Sequence, residues 1–349
     1  MRIRRLAADK LSLGKYTIQY QEAERLLATE MEMEMEKKRV CVTGAGGFVA
    51  SWIVKLLLSK GYIVHGTVRD PGEEKYAHLN KLERASYNLK LFKADLLDYG
   101  SLVSAIAGCT GVIHVACPVE MLEPAVTGTL NVLRACSEAK VKRVVYISST
   151  AAVVKNPKWP EDRVKDETCW SDREYCRATE NWYFLAKTEA ESIAFEYGKQ
   201  KGLDVVAVNP GFVFGPVMQP ILNFSTLLLL KFVKGVYIQI EPGDVDGVPN
   251  MLWGIVDVRD VADAVLLAYE KPESEGRYIC VAYNITIKDL TEKLKSLYPD
   301  QTYLENFGED DCKYRVTSEK LQKLGWTYRQ LEEILEDSIE SYKKAGLLD

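Results

Sequence analysis

Short apolar runs alternate with helical patterns along the chain from Arg39 onward. The runs at residues 39–43 and 144–148 are rich in β-branched residues, which is typical of strands buried on both faces. Residues 48–59 carry apolar side chains at helical spacing, and Gly61 follows as a C-cap signal. Strands that alternate with helices predict parallel βαβ units, and therefore an α/β fold with a doubly wound parallel sheet. Further strands are predicted at residues 62–68, 90–93, 111–116 and 205–209, and further helices at residues 102–107, 126–138 and 183–199.

The regular pattern changes after Pro210, where Gly and Pro become frequent as far as residue 249. We expect residues 37–210 to form the large domain, with residues 251–270 returning to it. Residues 211–250 and 271–349 are expected to form a smaller lobe over the carboxyl ends of the strands, where a substrate binds. Residues 1–36 carry three Arg near the start and a Met-Glu repeat at the end, but no apolar stretch of signal-peptide length. We expect them to be a disordered extension, with a targeting peptide as the alternative.

Composition excludes several classes of protein. A chain of 349 residues with 47% hydrophobic content is too apolar to be disordered. Its net charge is −5, so the protein lacks the positive electrostatic field that nucleic-acid binding needs. No apolar run is long enough to span a membrane. The eight Cys and three His do not fall at metal-ligand spacings, so no metal site is expected. Free thiols in a reducing, cytoplasmic compartment and a monomer or weak homodimer are expected; Cys169 and Cys176 form either a reversible disulfide or, as we favour, two ordinary thiols.

A glycine-rich turn joins the first predicted strand to the first predicted helix. Its first glycine permits a tight turn, and the next lets the backbone approach a pyrophosphate at the helix N-terminus. Ala50 is small, so that helix and strand can pack closely. A turn with only a structural role is the alternative, but its place in a βαβ unit favours a Rossmann-type dinucleotide site. The turn comprises Gly44, Ala45, Gly46, Gly47, Phe48, Val49 and Ala50.

The tip of the second strand indicates which dinucleotide is bound. NAD-preferring proteins place an acidic residue there on the ribose hydroxyls, whereas this chain has Arg69 followed by Asp70. An arginine can pair with a ribose 2′-phosphate and stack on the adenine, which favours NADP(H). A solvated Arg69 is the alternative. At the tip of the third strand, Asp95 is placed to accept a hydrogen bond from the adenine amino group, with Leu96 beside it.

A candidate catalytic set lies further along the chain. Tyr183 and Lys187 are four residues apart on a predicted helix, so both project from one face. A neighbouring ammonium favours the phenolate, which suits a tyrosine that exchanges a proton with a carbonyl or alcohol oxygen. Ser148 and Ser149 lie at the tip of the fifth predicted strand, where a hydroxyl can donate to that oxygen. A Tyr-x-x-x-Lys pair often occurs by chance, but the combination with the glycine turn and the serines is specific.

These segments resemble the extended short-chain dehydrogenase/reductase superfamily and, within it, the plant dihydroflavonol reductase and cinnamoyl-CoA reductase group. The resemblance covers about residues 39–348 and is carried by VCVTGAGGFVASW, GTVRDP, KADLLDYGSL, GCTGVIHVAC, EPAVTGTLNVLRAC, RVVYISS, DETCWSDREYC, NWYFLAK and VNPGFVFGP. It implies that Ser149 is the catalytic serine and that Lys187 also contacts the ribose. It further implies NADPH contacts from residues 44–50 and from Arg69, Lys75, Asp95, Leu96, Val115, Ala116, Cys117, Tyr183, Lys187, Pro210, Gly211, Phe212, Val213 and Ser225.

Three departures from this group fall on the substrate side. The thioester reductases of the group read Asn-Trp-Tyr-Cys-Tyr-Gly-Lys, whereas residues 184–186 here are Phe, Leu and Ala. They carry a His three residues before a Lys; this chain keeps Lys231 but has Leu228 in place of the His. The Arg of the same signature is lost near Thr286, and the loop at residues 117–123 is short. None of the three departures affects the residues predicted for hydride transfer. The sequence therefore predicts the reductase chemistry but not any one substrate.

The sequence thus predicts an NADPH-dependent reductase of an aldehyde or ketone on an aromatic, phenylpropanoid-like small molecule. Tyr183 is expected to protonate the carbonyl oxygen, Lys187 to tune Tyr183, and Ser149 to orient the oxygen. The main alternative is a hydroxycinnamoyl-CoA reductase that converts a thioester to an aldehyde. A catalytically silent NADP-binding regulator is a third hypothesis, against which the complete catalytic set argues. A nucleotide-sugar epimerase or dehydratase shares the fold, but the quoted segments point away from it.

Overall fold

The computed structural model describes residues 39–117, 122–236, 248–311 and 314–348. Strands and helices alternate along it, as the apolar pattern predicts. The strands are β1 (Arg39–Thr43), β2 (Ile63–Val68), β3 (Leu89–Lys93), β4 (Gly111–His114), β5 (Arg143–Ile147), β6 (Asp204–Pro210), β7 (Phe212–Phe214), β8 (Val248–Asp257), β9 (Gly276–Cys280), β10 (Tyr283–Thr286) and β11 (Phe307–Asp311). The helices are α1 (Phe48–Ser59), α2 (Ala77–Asn80), α3 (Ala85–Asn88), α4 (Tyr99–Ile106), α5 (Leu122–Glu138), α6 (Ala151–Val154), α7 (Arg173–Ala178), α8 (Trp182–Lys201), α9 (Phe224–Val233), α10 (Val258–Glu270), α11 (Ile287–Leu297), α12 (Glu319–Lys323) and α13 (Leu331–Lys344), with a 3₁₀ turn at Glu74–Tyr76.

In the described part of the chain, seven strands form a parallel sheet in the order β3-β2-β1-β4-β5-β6-β9. The chain builds outward from β1 in one direction and then, from β4, in the other. Connections after β1 and β4 therefore diverge, and a crevice opens between them at the carboxyl ends of the strands. The predicted α/β fold with a doubly wound parallel sheet is confirmed.

Helices cover both faces of this sheet. Val40 and Val42 of β1 are fully buried against the layer that contains α1 and α10. Cys41, between them, points to the opposite layer and packs with Leu102 of α4 and Val132 of α5. Helix α8 lies in that second layer and packs against α5. Because side chains alternate between the two faces of a strand and both faces are covered, the buried strands appear in the sequence as continuous apolar runs.

A second, smaller sheet is built around β8, which pairs in parallel with β7 and β11 and antiparallel with β10. Its core includes Phe214 of β7, Leu228 of α9, Trp253 of β8, Ile287 of α11 and Ile334 of α13, all buried. The described segments of the C-terminal part therefore form a lobe with a hydrophobic core of its own.

The structure differs from the predicted domain limits in two places. Residues 251–270 were expected to return to the large sheet, but β8 belongs to the small sheet, and α10 alone returns, packing on α1. The seventh strand of the large sheet is β9, within the segment predicted for the lobe. Its second residue is Arg277, whose charge interrupts the apolar pattern; the strand is nevertheless buried because Arg277 forms an ion pair with Glu191.

Some expectations concern residues outside the described ranges. The predicted extension at residues 1–36 lies there, and so do residues 118–121 of the short loop at 117–123. Within the described ranges, no helix is both long and apolar enough to cross a membrane. The same part of the chain contains no group of three or more His, Cys, Asp or Glu side chains arranged to hold a metal ion.

The amino-terminal ends of β5 and β6 are tied together by Arg143. Its Nε atom donates to Asp204 Oδ2 at 2.7 Å, and its Nη1 atom donates to the carbonyl oxygens of Ala268 at 3.1 Å and Lys271 at 2.5 Å. Its Nη2 atom donates to the carbonyl of Ser274 at 3.2 Å. One half-buried guanidinium thus satisfies backbone carbonyls in the last turn of α10 and in the segment that leads from it into β9.

We expect Arg143→Ala to lower the free energy of unfolding by about 2–4 kcal/mol, because several partly buried carbonyls lose a charged donor at once. Urea denaturation measures the change. The matched control is Arg177→Ala, whose partner Glu174 is 85% exposed; there we expect a change within about 0.5 kcal/mol. Equal losses in the two variants would contradict this account of Arg143.

Candidate active site

The turn between β1 and α1 has the backbone geometry of an anion site. Gly44 has φ +64°, and its N–H donates to Thr67 Oγ1 at 3.0 Å. A Cβ atom at Gly44 would lie 3.0 Å from the Cβ atom of Ala116, so the approach of the two loops requires glycine. Gly47 is exposed at the start of α1, and no side chain caps the helix. The first amides of α1 are therefore available to a phosphate.

A contact with Tyr76 explains the second glycine of the turn. A Cβ atom on Gly46 would lie 2.2 Å from the Tyr76 ring, so a larger residue cannot occupy this position without displacing the ring. Lys75, an expected cofactor contact, lies on the same 3₁₀ turn, with its Nζ atom 2.5 Å from Glu73 Oε2. The hydrogen bond that Lys75 donates to Glu73 raises the pKa of Lys75. Lys75 is therefore charged but engaged by Glu73.

Arg69 and Asp95 follow two adjacent strands, β2 and β3, and both side chains are exposed. Arg69 forms no ion pair with any residue that the structure describes. Asp95 Oδ1 accepts the N–H of Leu97 at 2.8 Å, which leaves Oδ2 free of described partners. Leu96 is half-buried, and its carbonyl accepts Asn131 Nδ2 at 2.9 Å. The two residues predicted to bind the adenosine end of the cofactor thus follow neighbouring strands of the sheet.

A buried pair, Thr43 and His114, joins the glycine turn to the segment after β4. Thr43 Oγ1 accepts the N–H groups of Val115 at 3.0 Å and Ala116 at 3.1 Å, and it lies 2.8 Å from His114 Nδ1. Since Thr43 Oγ1 already accepts two hydrogen bonds, its own proton is assigned to His114 Nδ1. Burial lowers the pKa of His114 to about 3, so the ring is neutral at pH 7 and Nε2 faces Thr129 Oγ1.

Helix α8 carries both members of the predicted Tyr/Lys pair. Tyr183 is 38% exposed, whereas Lys187, one turn further on, is 5% exposed. Lys187 Nζ donates to the carbonyl of Ile147, the last residue of β5, at 3.4 Å. Burial lowers the pKa of Lys187, but the acidic groups around it, Cys117 and Tyr183 among them, outweigh this and raise it above its ordinary value. A protonated ammonium therefore lies beneath a partly exposed phenol.

The two serines after β5 have different environments. Ser148 is 3% exposed, and its hydroxyl donates to Glu191 Oε2 at 2.5 Å. Ser149 is half-buried, and its hydroxyl accepts the N–H of Ala151 at 3.1 Å. Its proton therefore remains available to a bound molecule. The catalytic role predicted for Ser149 is compatible with this geometry, whereas the Ser148 proton is already engaged.

The residues expected near the nicotinamide extend from the end of β6. The carbonyl of Pro210 accepts the N–H of Thr150 at 2.9 Å, which places the end of β6 beside the serines. A Cβ atom on Gly211 would lie 2.1 Å from the carbonyl oxygen of Gly254, so glycine is required where β6 passes into β7. The other predicted positions are Phe212, which packs on Trp253; Val213, which is buried; and Ser225, which is half-buried on α9.

Sequence reasoning missed the carboxylate on the same side of α8. Glu191 lies one turn after Lys187, is fully buried, and pairs with Arg277 of β9 at 2.5 Å. Asn209 of β6 also donates to it, at 2.8 Å. A signal was present in the sequence: Tyr, Lys and Glu recur every four residues on a helix, and Ala190 and Ala194 flank this Glu on what is otherwise an apolar surface.

Comparison with known proteins identifies the family. Residues 40–286 match the profile of a family described as the NAD dependent epimerase/dehydratase family. The chain belongs to this family. The result confirms the resemblance to the extended short-chain dehydrogenases/reductases.

Individual proteins are similar to this chain over nearly its whole length. Cinnamoyl-CoA reductase 1 of Petunia hybrida is 44% identical over 318 residues, which are 88% of this chain and 93% of that protein. The crystal structure of vestitone reductase from alfalfa is 34% identical with a TM-score of 0.77 and covers 89% of this chain and 99% of that one. Yeast methylglyoxal/isovaleraldehyde reductase Gre2, crystallised with NADPH, is 26% identical with a TM-score of 0.74 and covers 89% and 100%.

Two positions that depart from the thioester reductases of the family have structural roles here. Leu228 is fully buried in the core of the lobe. Thr286 caps α11, where its Oγ1 accepts the N–H of Asp289 at 3.1 Å. Lys231 is half-buried on α9. Of the two cysteines considered for a disulfide, Cys169 and Cys176, both are buried and free.

The description of the epimerase/dehydratase family names NAD, whereas the yeast structure contains NADPH. The preference between NADH and NADPH therefore depends on local residues. We expect Arg69→Ala to lower the preference for NADPH over NADH by about one to two decades, because a charge-assisted hydrogen bond contributes about 1.5–3 kcal/mol. The ratio of kcat/KM with the two cofactors measures this.

The matched control is Lys93→Ala, which removes an exposed cation from the end of the neighbouring strand β3. We expect it to leave the cofactor ratio unchanged. If Arg69→Ala also leaves the ratio unchanged, the 2′-phosphate is held elsewhere, and Lys75 is the next position to substitute.

Proposed function

We propose that the protein is an NADP(H)-dependent oxidoreductase that reduces the carbonyl of an aldehyde or ketone on an aromatic, phenylpropanoid-like small molecule. The observation that carries this proposal is the partly exposed Tyr183 phenol above the buried Lys187 ammonium. The half-buried Ser149 hydroxyl at the end of β5 supports it, because Lys187 itself contacts the last residue of that strand.

The cofactor fits the residues present. The uncapped N-terminus of α1 and the positive φ of Gly44 suit a pyrophosphate, and exposed Arg69 suits a ribose 2′-phosphate. When bound, NADPH supplies the hydride for the carbonyl carbon. Residues 115–117 and the end of β6 border the expected nicotinamide end.

The chain's own residues handle the oxygen. Tyr183 donates its proton to the carbonyl oxygen as negative charge develops there. The Lys187 ammonium stabilises the charge left on the phenol oxygen, and burial strengthens this interaction because less water screens it. Ser149 donates a hydrogen bond to the same oxygen and so orients the carbonyl.

Exposed aromatic residues that adjoin predicted site residues in the sequence support an aromatic substrate. Trp182 is 51% exposed and directly precedes Tyr183; Phe224 is 52% exposed and directly precedes Ser225. Large apolar side chains left in water are often part of binding surfaces for apolar ligands. We further propose a cytoplasmic location, because the free thiols at the described cysteines are typical of a reducing compartment.

A hydroxycinnamoyl-CoA reductase is the second candidate, favoured by the name of the petunia relative and by Lys231. A CoA ester carries phosphates, so its binding site needs cationic groups at the rim. Leu228 is buried and Thr286 caps a helix, so neither position supplies such a group. This difference supports a free carbonyl substrate. A silent NADP-binding regulator would not need Tyr183, Lys187 and Ser149 together.

We expect Tyr183→Phe to lower kcat by about 100-fold or more, because the proton donor is lost, and to leave NADPH affinity nearly unchanged. Steady-state rates with an aromatic aldehyde and NADPH fluorescence titration measure the two quantities. The matched control is Tyr175→Phe, which removes a hydroxyl from a tyrosine of the same exposure, 38%. Unchanged turnover in Tyr183→Phe would overturn its assignment as the proton donor.

The substrate class is tested with a panel of aromatic aldehydes, dihydroflavonols and hydroxycinnamoyl-CoA esters. We expect kcat/KM for the best free aldehyde or ketone to exceed that for any CoA ester by at least ten-fold, because losing a charged partner for a phosphate costs a few kcal/mol. Lys231→Ala is expected to change neither aldehyde kcat nor aldehyde KM. A wild-type protein that reduces CoA esters faster than the matching aldehydes contradicts the proposal and establishes the second candidate.

A further inference from the structure

We propose that Glu191 is a positioning residue that sets the Ser149 hydroxyl against the Tyr183 phenol, acting with Asn209 and Arg277 from beneath the site. The inference rests on the proposed reductase function for its catalytic consequence. Its geometric part stands on the contacts of these residues.

The first step is the register of α8. Tyr183, Lys187 and Glu191 follow one another at intervals of four residues, so they form one stripe along the helix. Exposure falls along this stripe from 38% at Tyr183 to 5% at Lys187 and zero at Glu191. The helix thus presents its phenol to the crevice and anchors itself to the sheet through its carboxylate.

The second step is the origin of the donors. Glu191 accepts Ser148 Oγ at 2.5 Å, Asn209 Nδ2 at 2.8 Å and Arg277 Nε at 2.5 Å. These residues lie on or directly after β5, β6 and β9, which are neighbours in the sheet. One carboxylate therefore fixes α8 relative to the carboxyl ends of β5 and β6 and to the first residues of β9.

The third step connects this carboxylate to Ser149. The Asn209 amide group donates both to Glu191 Oε2 and, at 3.1 Å, to the backbone carbonyl of Ser149. The residue before Ser149 is Ser148, which is bound to the same carboxylate oxygen. The backbone of Ser149 is thus held from two sides by groups that Glu191 orients.

Arg277 extends the network to the segment that follows the serines. Its guanidinium donates to the carbonyls of Ala152 at 3.0 Å, Glu167 at 3.1 Å and Cys169 at 2.8 Å. It also stacks on the ring of Trp170, 3.6 Å from the ring centroid. With these contacts, Arg277 fixes the chain leaving Ser149 as well as the carboxylate below it.

A structural role alone does not require charge at this place. A buried ion pair contributes little net stability compared with apolar residues of the same volume, because both charges lose their hydration. Its directional hydrogen bonds do restrict orientation, and a shift of about 1 Å between reacting groups can cost about 100-fold in rate. This is the contribution we assign to the network.

The test compares Glu191→Gln, which keeps the side-chain shape, with the wild type. We expect kcat for an aromatic aldehyde to fall by about 10- to 100-fold, while KM for NADPH stays within about two-fold, because the cofactor loops are held by other contacts. The control is Asp260→Asn, which removes the charge of another buried carboxylate that pairs with an arginine, the partly exposed Arg329; Asp260 is on α10, across the sheet from α8. It should leave kcat unchanged even if it lowers the melting temperature.

A second readout is independent of turnover. In crystal structures with NADP⁺, we expect Glu191→Gln to change the distance between Ser149 Oγ and Tyr183 Oη by about 1 Å relative to the wild type. Asn209→Ala removes the amide that joins the Glu191 carboxylate to Ser149, and we expect it to change the same distance by about 1 Å. If Glu191→Gln does not fold, this variant tests the positioning role.

An unchanged Ser149–Tyr183 distance in the folded variants overturns the proposal, and so does a folded Glu191→Gln with wild-type kcat. A fall in kcat matched by an equal fall in the Asp260→Asn control also overturns it, because the effect is then one of stability. If the wild type reduces no carbonyl compound, the proposed function fails, while the distance in the crystal structures still tests the positioning role.

Discussion

The strands of the large sheet run in one direction, so their carboxyl ends all reach the same edge. Arg69 follows β2, Asp95 follows β3, Cys117 comes shortly after β4 and Ser149 shortly after β5. Residues far apart in sequence are therefore delivered to one crevice by topology before any side chain contributes. The remaining requirement is that each loop leaves its strand in a fixed direction, because the reacting groups must meet within a fraction of an ångström.

Buried polar pairs meet this requirement below the crevice. Thr43 and His114 join the glycine turn to the segment after β4. Glu191 and Arg277 join α8 to the segment that contains Ser148 and Ser149. Burial would make each of these groups costly if it were unpaired. His114 avoids the cost because its pKa is lowered and the ring is neutral, and Glu191 avoids it by accepting several donors. The same contacts that satisfy the buried groups also orient the loops.

Much of this architecture can be predicted from the sequence because buried parallel strands appear as apolar runs; β1 and α1 have the limits that the pattern predicts. The pair of Tyr183 and Lys187 can also be predicted from the sequence, since one helical turn separates its members. Strand β9 cannot be predicted in this way, because Arg277 interrupts its apolar pattern. Glu191, the partner that allows Arg277 to be buried, is 86 residues away in sequence. The difference between Ser148 and Ser149 cannot be predicted from the sequence either, because it depends on tertiary structure. The Ser148 hydroxyl is engaged by Glu191, which is 43 residues away in sequence.

The division between sheet and lobe separates the two halves of the function. Most groups assigned to the cofactor, and those assigned to proton transfer, lie at the carboxyl edge of the large sheet, whereas Phe212, Val213 and Ser225 lie on β7 and α9. The positions that differ from the thioester reductases lie in the lobe, where Leu228 fills the core and Thr286 caps α11. A lobe whose side chains serve its own packing offers a CoA phosphate no cation at these two positions. The rings of Trp182, which precedes Tyr183 on α8, and of Phe224, on α9, are instead exposed apolar surface. Since a flat apolar ring gains most from apolar surface and needs no charge to be held, these features support the aromatic carbonyl substrate proposed above over a long anionic thioester.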